Sequence, residues 1–167
     1  MRSFRFLTIG LALLALTPNA HAAPTKPTPV PAAPAAQPHL QVPPPEAQLI
    51  MIRSSLVALS QANQTGNYTV LNALGSDNFR INNSPARLAD LFASFRANAI
   101  DLAPVTYVNP VLAQAPAITD GRLRLVGSFP TQPMQVNFDL QYEPAGTGWK
   151  LFGIAVNLSK VTQTAQR

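Results

Sequence analysis

Between Met134 and Glu143 the chain reads MQVNFDLQYE, in which Met134, Val136, Phe138, Leu140 and Tyr142 alternate without exception with Gln135, Asn137, Asp139, Gln141 and Glu143. A period of two marks a strand with one buried face and one face in water. The flanking segments extend the pattern: RLRLVGSF precedes it, and WKLFGIAVNL follows a PAGTG loop. A symmetric turn between Thr131 and Gln132 sets Leu123 opposite Leu140, Leu125 opposite Phe138 and Arg124 opposite Asp139. A second turn centred on Gly146 sets Leu140 opposite Phe152, Phe138 opposite Ile154, Val136 opposite Val156 and Met134 opposite Leu158. One face is then apolar across three strands, and a slip of one residue in either hairpin would place polar groups in that face. The Arg124–Asp139 pair assigns the polar row, carboxylate included, to the outer face.

An apolar sheet face must be covered by a second layer, and the preceding residues supply one. EAQLIMIRSSLVALSQANQ carries Leu49, Ile52, Leu56 and Leu59 at helical spacing, widened by Ile50 and Val57, which predicts a helix over 46–63. Asn67 caps a short second helix, Tyr68 to Leu74, ended by Gly75. Ser84 followed by Pro85 opens a third, whose buried stripe is Leu88, Leu91, Phe92 and Phe95. VTYVNPVLAQAPAI is a strand region in which Pro110 and Pro116 remove ladder donors, so it forms an edge, a bulge or two short strands. Asp120-Gly121 makes a tight hairpin turn. The expected fold is α+β: three N-terminal helices packed on a curved antiparallel sheet of about four strands.

Upstream of this domain the composition changes twice. Arg2 and Arg5 precede an apolar run from Phe6 to Leu16, followed by Pro18 and Ala20-His21-Ala22, which predicts a signal peptide over 1–22. The run is about 11 residues where a membrane span needs about 20. Contact with a membrane is therefore expected only transiently, through the signal, and the mature chain is expected to be periplasmic or secreted. Residues 23–45 hold nine prolines and no run able to form a core, which predicts a disordered spacer reaching up to about 70 Å. Residues 46–167 then form one domain. The formal charge of +5 is largely a property of the leader: from Glu46 onward nine Lys and Arg stand against seven Asp and Glu, a net of +2. Those charges are scattered, so no nucleic-acid partner is expected.

The long first helix, TGNYTVLNAL and the closing WKLFGIAV together resemble the nuclear transport factor 2-like superfamily, the cone-shaped α+β fold shared with ketosteroid isomerase. The resemblance spans about 46–158. It implies a largely apolar pocket between sheet and helices, and a superfamily that includes isomerases, dehydratases, epoxide hydrolases and many binding or assembly domains. Likeness of fold does not choose among these.

Elimination narrows the chemistry. The only histidines are His21 and His39, both upstream of the domain, and the chain has no cysteine. Histidine acid–base catalysis, thiol nucleophiles, disulfides and ordinary zinc sites are excluded from the domain. No metal or cofactor is expected, and no phosphate-binding glycine loop or dinucleotide fingerprint occurs. The His-Asp pair of dehydratase-like relatives is missing. An isomerase-type site, needing only a carboxylate and hydrogen-bond donors, remains chemically open, with Asp101 as its least constrained base. Arg53 falls inside the apolar arc of the first helix, so its guanidinium needs a carboxylate, a carbonyl cluster, a ligand anion or a route to water. The expected ligand pocket is Arg53, Tyr107, Phe138 and Tyr142, able to take an apolar or acidic small molecule. Trp149, Leu151, Gly153 and Ala155 fall on one side of the last strand and form a possible homodimer face. The leading expectation is an exported, non-enzymatic binding or assembly domain. The alternatives are a pocket isomerase or lyase using a carboxylate and Tyr, and a dimeric structural module of the cell envelope.

Overall fold

The computed structural model describes residues 40–160. The predicted signal peptide and residues 23–39 of the proline-rich spacer lie outside the described residues. Helix α1 (Pro45–Thr65) begins with Pro45 in its first turn and stops at Gly66, whose φ of 72° lets its N–H reach the Ala62 carbonyl at 2.8 Å. Its buried side holds Ile52, Ser55, Leu56, Leu59 and Ala62. Ile50, expected to widen that arc, is 65% exposed. At ~100° per residue it lies about 180° from Leu59, so it cannot share a face with it.

Four short helices follow: α2 (Thr69–Ala73), α3 (Asp77–Asn82), α4 (Pro85–Leu91) and α5 (Ala93–Ala97). Asn67 Oδ1 accepts the Thr69 N–H at 3.0 Å, as its capping role requires. Helix α3 was not expected. The Ser76 hydroxyl accepts the Phe79 N–H at 3.2 Å, and Phe79 is the one buried residue of this helix, too few for a periodic signal. Ser84 caps α4 as predicted, its Oγ accepting the Arg87 N–H. The predicted third helix breaks at Phe92, which leaves Leu88 and Phe92 in the core and turns Leu91 out, 57% exposed.

A 3-10 helix, Ala103–Thr106, occupies the start of the expected edge-strand region. The remainder forms β1 (Val111–Leu112) and β2 (Ala117–Thr119), two short strands separated by Pro116 and paired side by side along β3 (Arg122–Phe129). Asp120 and Gly121, at φ 51° and 74°, make the two-residue turn into β3. Long strands β4 (Met134–Ala145) and β5 (Gly148–Lys160) complete an antiparallel sheet of five strands in the order β1, β3, β4, β5, with β2 on the β1 side of β3. With five α-helices and this sheet the described residues are α+β.

The predicted faces survive, and the predicted partners move. Leu125 pairs with Leu140, Gly127 with Phe138 and Leu123 with Tyr142, a two-residue displacement of the β3–β4 register. Two residues is one side-chain period, so the apolar face is preserved. The displacement follows the connection, where the Thr131 hydroxyl bonds the Met134 carbonyl at 2.6 Å and holds the turn one residue later than expected. Arg124 consequently sits diagonal to Asp139, yet its Nε and Nη2 still grip both carboxylate oxygens, at 2.9 and 2.5 Å.

Between β4 and β5 there is a further change. Gln141 faces Gly153 but Tyr142 faces Leu151, leaving Phe152 as an extra residue in a β-bulge. The bulge inverts the phase of β5 ahead of Gly153 and leaves the rest on its expected faces. Leu151, expected on the outer side, is 2% exposed in the core, and Trp149 packs against that core beside it. Phe152 turns outward beneath the Arg122 guanidinium, 3.9 Å from its ring centre. The four residues of the expected dimer face are therefore divided: Trp149 and Leu151 lie toward the helices, Gly153 and Ala155 toward the outer face.

Close packing of Phe138 depends on a missing side chain. A Cβ on Gly127 would lie 2.4 Å from the Val111 carbonyl and 2.8 Å from Phe138 Cζ. The carbonyl belongs to the paired strand and has no freedom to retreat. Gly127→Ala is expected to destabilise the fold by about 1–3 kcal/mol, read as a lower urea midpoint at unchanged m-value.

Candidate functional site

The four residues expected to share a pocket occupy three environments. The half-buried Arg53 donates through Nη2 to the Val108 carbonyl at 3.1 Å and to Asn109 Oδ1 at 3.0 Å. It meets the carbonyl option among its possible partners and ties α1 to the connection before β1. Its Nε is buried without a partner among the described residues. Tyr107, in that connection, is 74% exposed and faces no cavity with Arg53. Phe138 is 2% exposed and packs on Phe129 with ring centres 5.6 Å apart.

Tyr142 is 3% exposed. Its hydroxyl donates to the Met51 carbonyl at 2.9 Å and lies 3.0 Å from Ser55 Oγ, which is itself 3.0 Å from the same carbonyl. Burial pushes the phenol above its ordinary value of 10.0, and the Ser55 hydroxyl pulls the other way. The group is thus a neutral bolt between the sheet and the back of α1. The space expected to hold a ligand is occupied by Leu56, Leu59, Leu125, Phe129, Phe138 and Leu140, none more than 2% exposed.

The polar groups that do converge are elsewhere, where α1, α5 and the segment after α5 meet. A groove of about 310 Å³ there is lined by Asn63, Phe95, Arg96, Ile100 and Asp101 among others. Arg96 Nη1 donates to the Tyr68 hydroxyl and to the Ala89 carbonyl, each at 2.7 Å, with the guanidinium 5.4 Å from the Tyr68 ring centre. The Tyr68 hydroxyl donates onward to Asn63 Oδ1 at 2.5 Å. Asn63 Nδ2 is buried with no partner among the described residues. The groove thus sets a guanidinium and the Asp101 carboxylate beside the apolar Phe95 and Ile100.

Asp101, the residue chosen as a possible base, does reach this groove. Its Oδ1 accepts the Ala103 N–H at 2.8 Å and so also caps the 3-10 helix. The backbone beside it is strained. Ala99 has φ 48°, held there by bonds from its own N–H to Arg96 and from the Ile100 N–H to Phe95. This is the position where a helix end ordinarily uses glycine.

Arg96, Tyr68 and Asn63 went unrecognised in the sequence, although the reasoning that singled out Arg53 applies to Arg96 as well. Arg96 lies four residues after Phe92 and next to Phe95, a cation on an apolar helix face. Tyr68 reads as the packing residue of its short helix, and it does stack on Phe92 with ring centres 6.3 Å apart. Among the described residues no group of three or more His, Cys, Asp or Glu side chains is placed to hold a metal ion. Comparison of the chain with protein-family models, with curated proteins and with solved structures finds no match.

Two outcomes follow from this geometry. The Tyr142 contribution to stability is complete below the ordinary phenol value of 10.0, because the native state keeps a proton that the unfolded chain begins to lose above it. Stability is expected to fall as pH rises beyond that point, and Tyr142→Phe is expected to flatten the slope, measured by urea unfolding across the alkaline range. Ala99→Gly is expected to raise stability by about 0.5–1 kcal/mol by relieving the left-handed alanine, seen as a higher thermal midpoint.

Proposed function

We propose that the chain is an exported, non-catalytic binding or assembly domain of the nuclear transport factor 2-like kind, carried on a proline-rich spacer. The observation that carries this reading is the filled interior: Phe129, Phe138 and Leu140 close the space behind the sheet, and the one phenol there is spent on Ser55 and Met51. In that interior a substrate has no room beside an acid and a donor, the arrangement that a pocket isomerase or lyase would need there. Asp101 is separated from both expected tyrosines, since Tyr107 faces solvent and Tyr142 is sealed. Export is supported by the basic start, short apolar run and Ala20-His21-Ala22 site of the leader, all outside the described residues. No helix among the described residues is long and apolar enough to cross a membrane. The superfamily assignment is supported by the order of elements, helices first and then an antiparallel sheet whose last two strands are the longest.

One observation favours a second reading within the same class. The unpartnered Asn63 amide and the Arg96 guanidinium at a common groove suit a small acid, the ligand first assigned to Arg53. The two readings separate by mass spectrometry of the purified mature chain under native and denaturing conditions. Under both conditions the main proposal expects polypeptide with no bound small molecule. A small molecule held natively and lost in Arg96→Met supports the groove; one that is held equally by Arg96→Met refutes the groove, and a measured turnover refutes the main proposal.

A further inference from the structure

The two edges of the sheet are built differently. On one side β3 is covered by strands of two and three residues, with Pro110 and Pro116 beside them. Short strands and prolines are the ordinary devices that stop an edge from recruiting another strand. On the other side β5 runs for 13 residues without a proline. The α2–α3 connection covers only its beginning: Gly75 bridges Leu151, and the Ser76 N–H bonds the Leu151 carbonyl at 2.8 Å. From Gly153 to Ser159 the edge has no backbone partner among the described residues beyond β4.

The uncovered stretch, GIAVNLS, contains no charge, and Lys150 and Lys160 stand outside it. Ile154, Val156 and Leu158 face the helix side but are only half-buried there, whereas their β4 partners Leu140, Phe138 and Val136 are 0–2% exposed. On the outer side Gly153, Ala155, Asn157 and Ser159 are small, so nothing blocks the approach of a backbone. A symmetric dimer must use a surface that complements itself, and this one does. About an axis through Val156, Val156 meets Val156, Ile154 meets Leu158, Ala155 meets Asn157 and Gly153 meets Ser159. Every apolar residue of the row meets an apolar residue. Moving the axis to Asn157 sets Ile154 against Lys160 instead.

We infer that β5 pairs antiparallel with β5 of a second copy of this chain between Gly153 and Ser159, joining the two sheets with both helix layers on the same side. The inference rests on the assembly reading above and names the partner. It uses the edge of the last strand rather than its outer face, and it completes the half-buried row of Ile154, Val156 and Leu158.

The test uses the mature chain and two double variants at exposed positions, Ala155→Lys with Asn157→Lys and Ala155→Glu with Asn157→Glu. Both positions face solvent in the single chain, so folding is retained and circular dichroism verifies it. In the dimer each variant sets like charges directly opposite one another, twice. Sedimentation equilibrium is expected to show a dimer for the wild type, monomers for each variant alone, and a restored dimer when the two variants are mixed. A dimer that persists in both variants overturns the inference by placing the interface elsewhere. A wild-type monomer also overturns it, and amide exchange then says what the edge does: slow exchange over Gly153–Ser159 assigns it to another segment of the same chain, fast exchange to a different protein. Neither result touches the assembly reading itself, which fails only through an interior ligand or a measured turnover.

Discussion

One apolar core joins the sheet to the helices, and in it a row of side chains, Leu125, Leu140, Phe138 and Tyr142, is buried together with Ile52, Leu56 and Leu59 of the first helix. Each large apolar side chain so buried contributes about 1.5–3 kcal/mol, and burial of the row is close to complete. Three further features exist because this row must close. Gly127 leaves room for the Phe138 ring, Tyr142 ends the row with a hydroxyl that needs Ser55 and Met51 as partners, and the Phe152 bulge brings Leu151 inward where the helices cover it. The filled row is also what supports a reading without an interior ligand, since the same volume cannot hold both.

Polar groups follow the row's geometry. Outside it, Arg124 and Asp139 form a two-pronged pair and Asn137 links Asn157 and Ser159 across the last two strands. These bonds lie on the solvent side and set local order more than stability. Arg96 is held by Tyr68 and Ala89 beside a groove, next to a buried Asn63 amide nitrogen with no partner among the described residues. Arg53, the same residue type in an equivalent position of a different helix, was captured by the Val108 carbonyl and does structural work instead.

Much of the fold was legible because it rests on periodicity. Period two placed three strands and their faces, period 3.6 placed the first helix, and Ser84-Pro85 and Asp120-Gly121 placed a helix start and a hairpin. What failed shares a cause. Register within a face, the break at Phe92 and the bulge at Phe152 do not alter which residue types appear, so hydrophobic pattern is blind to them. A two-residue displacement conserves the apolar face and looks identical in sequence. The bulge reverses parity from Trp149 to Phe152, which moved Leu151 from an expected interface into the core.

The candidate site was less legible, for a different reason. Its members come from the end of the first helix, the second short helix and the end of the fifth, and their meeting depends on angles between elements that no local pattern encodes. Sequence alone determined the exclusions, with neither histidine nor cysteine in the domain, the alternating face, and the prolines that interrupt the strand region before Asp120. Tertiary structure decided that Arg53 bonds the Val108 carbonyl while Arg96 lines a groove, and whether the space behind the sheet was empty. Residue type and spacing are properties of the chain, whereas a cavity is a difference between the volume enclosed and the volume of the side chains that fill it, and it exists only after the layers have packed.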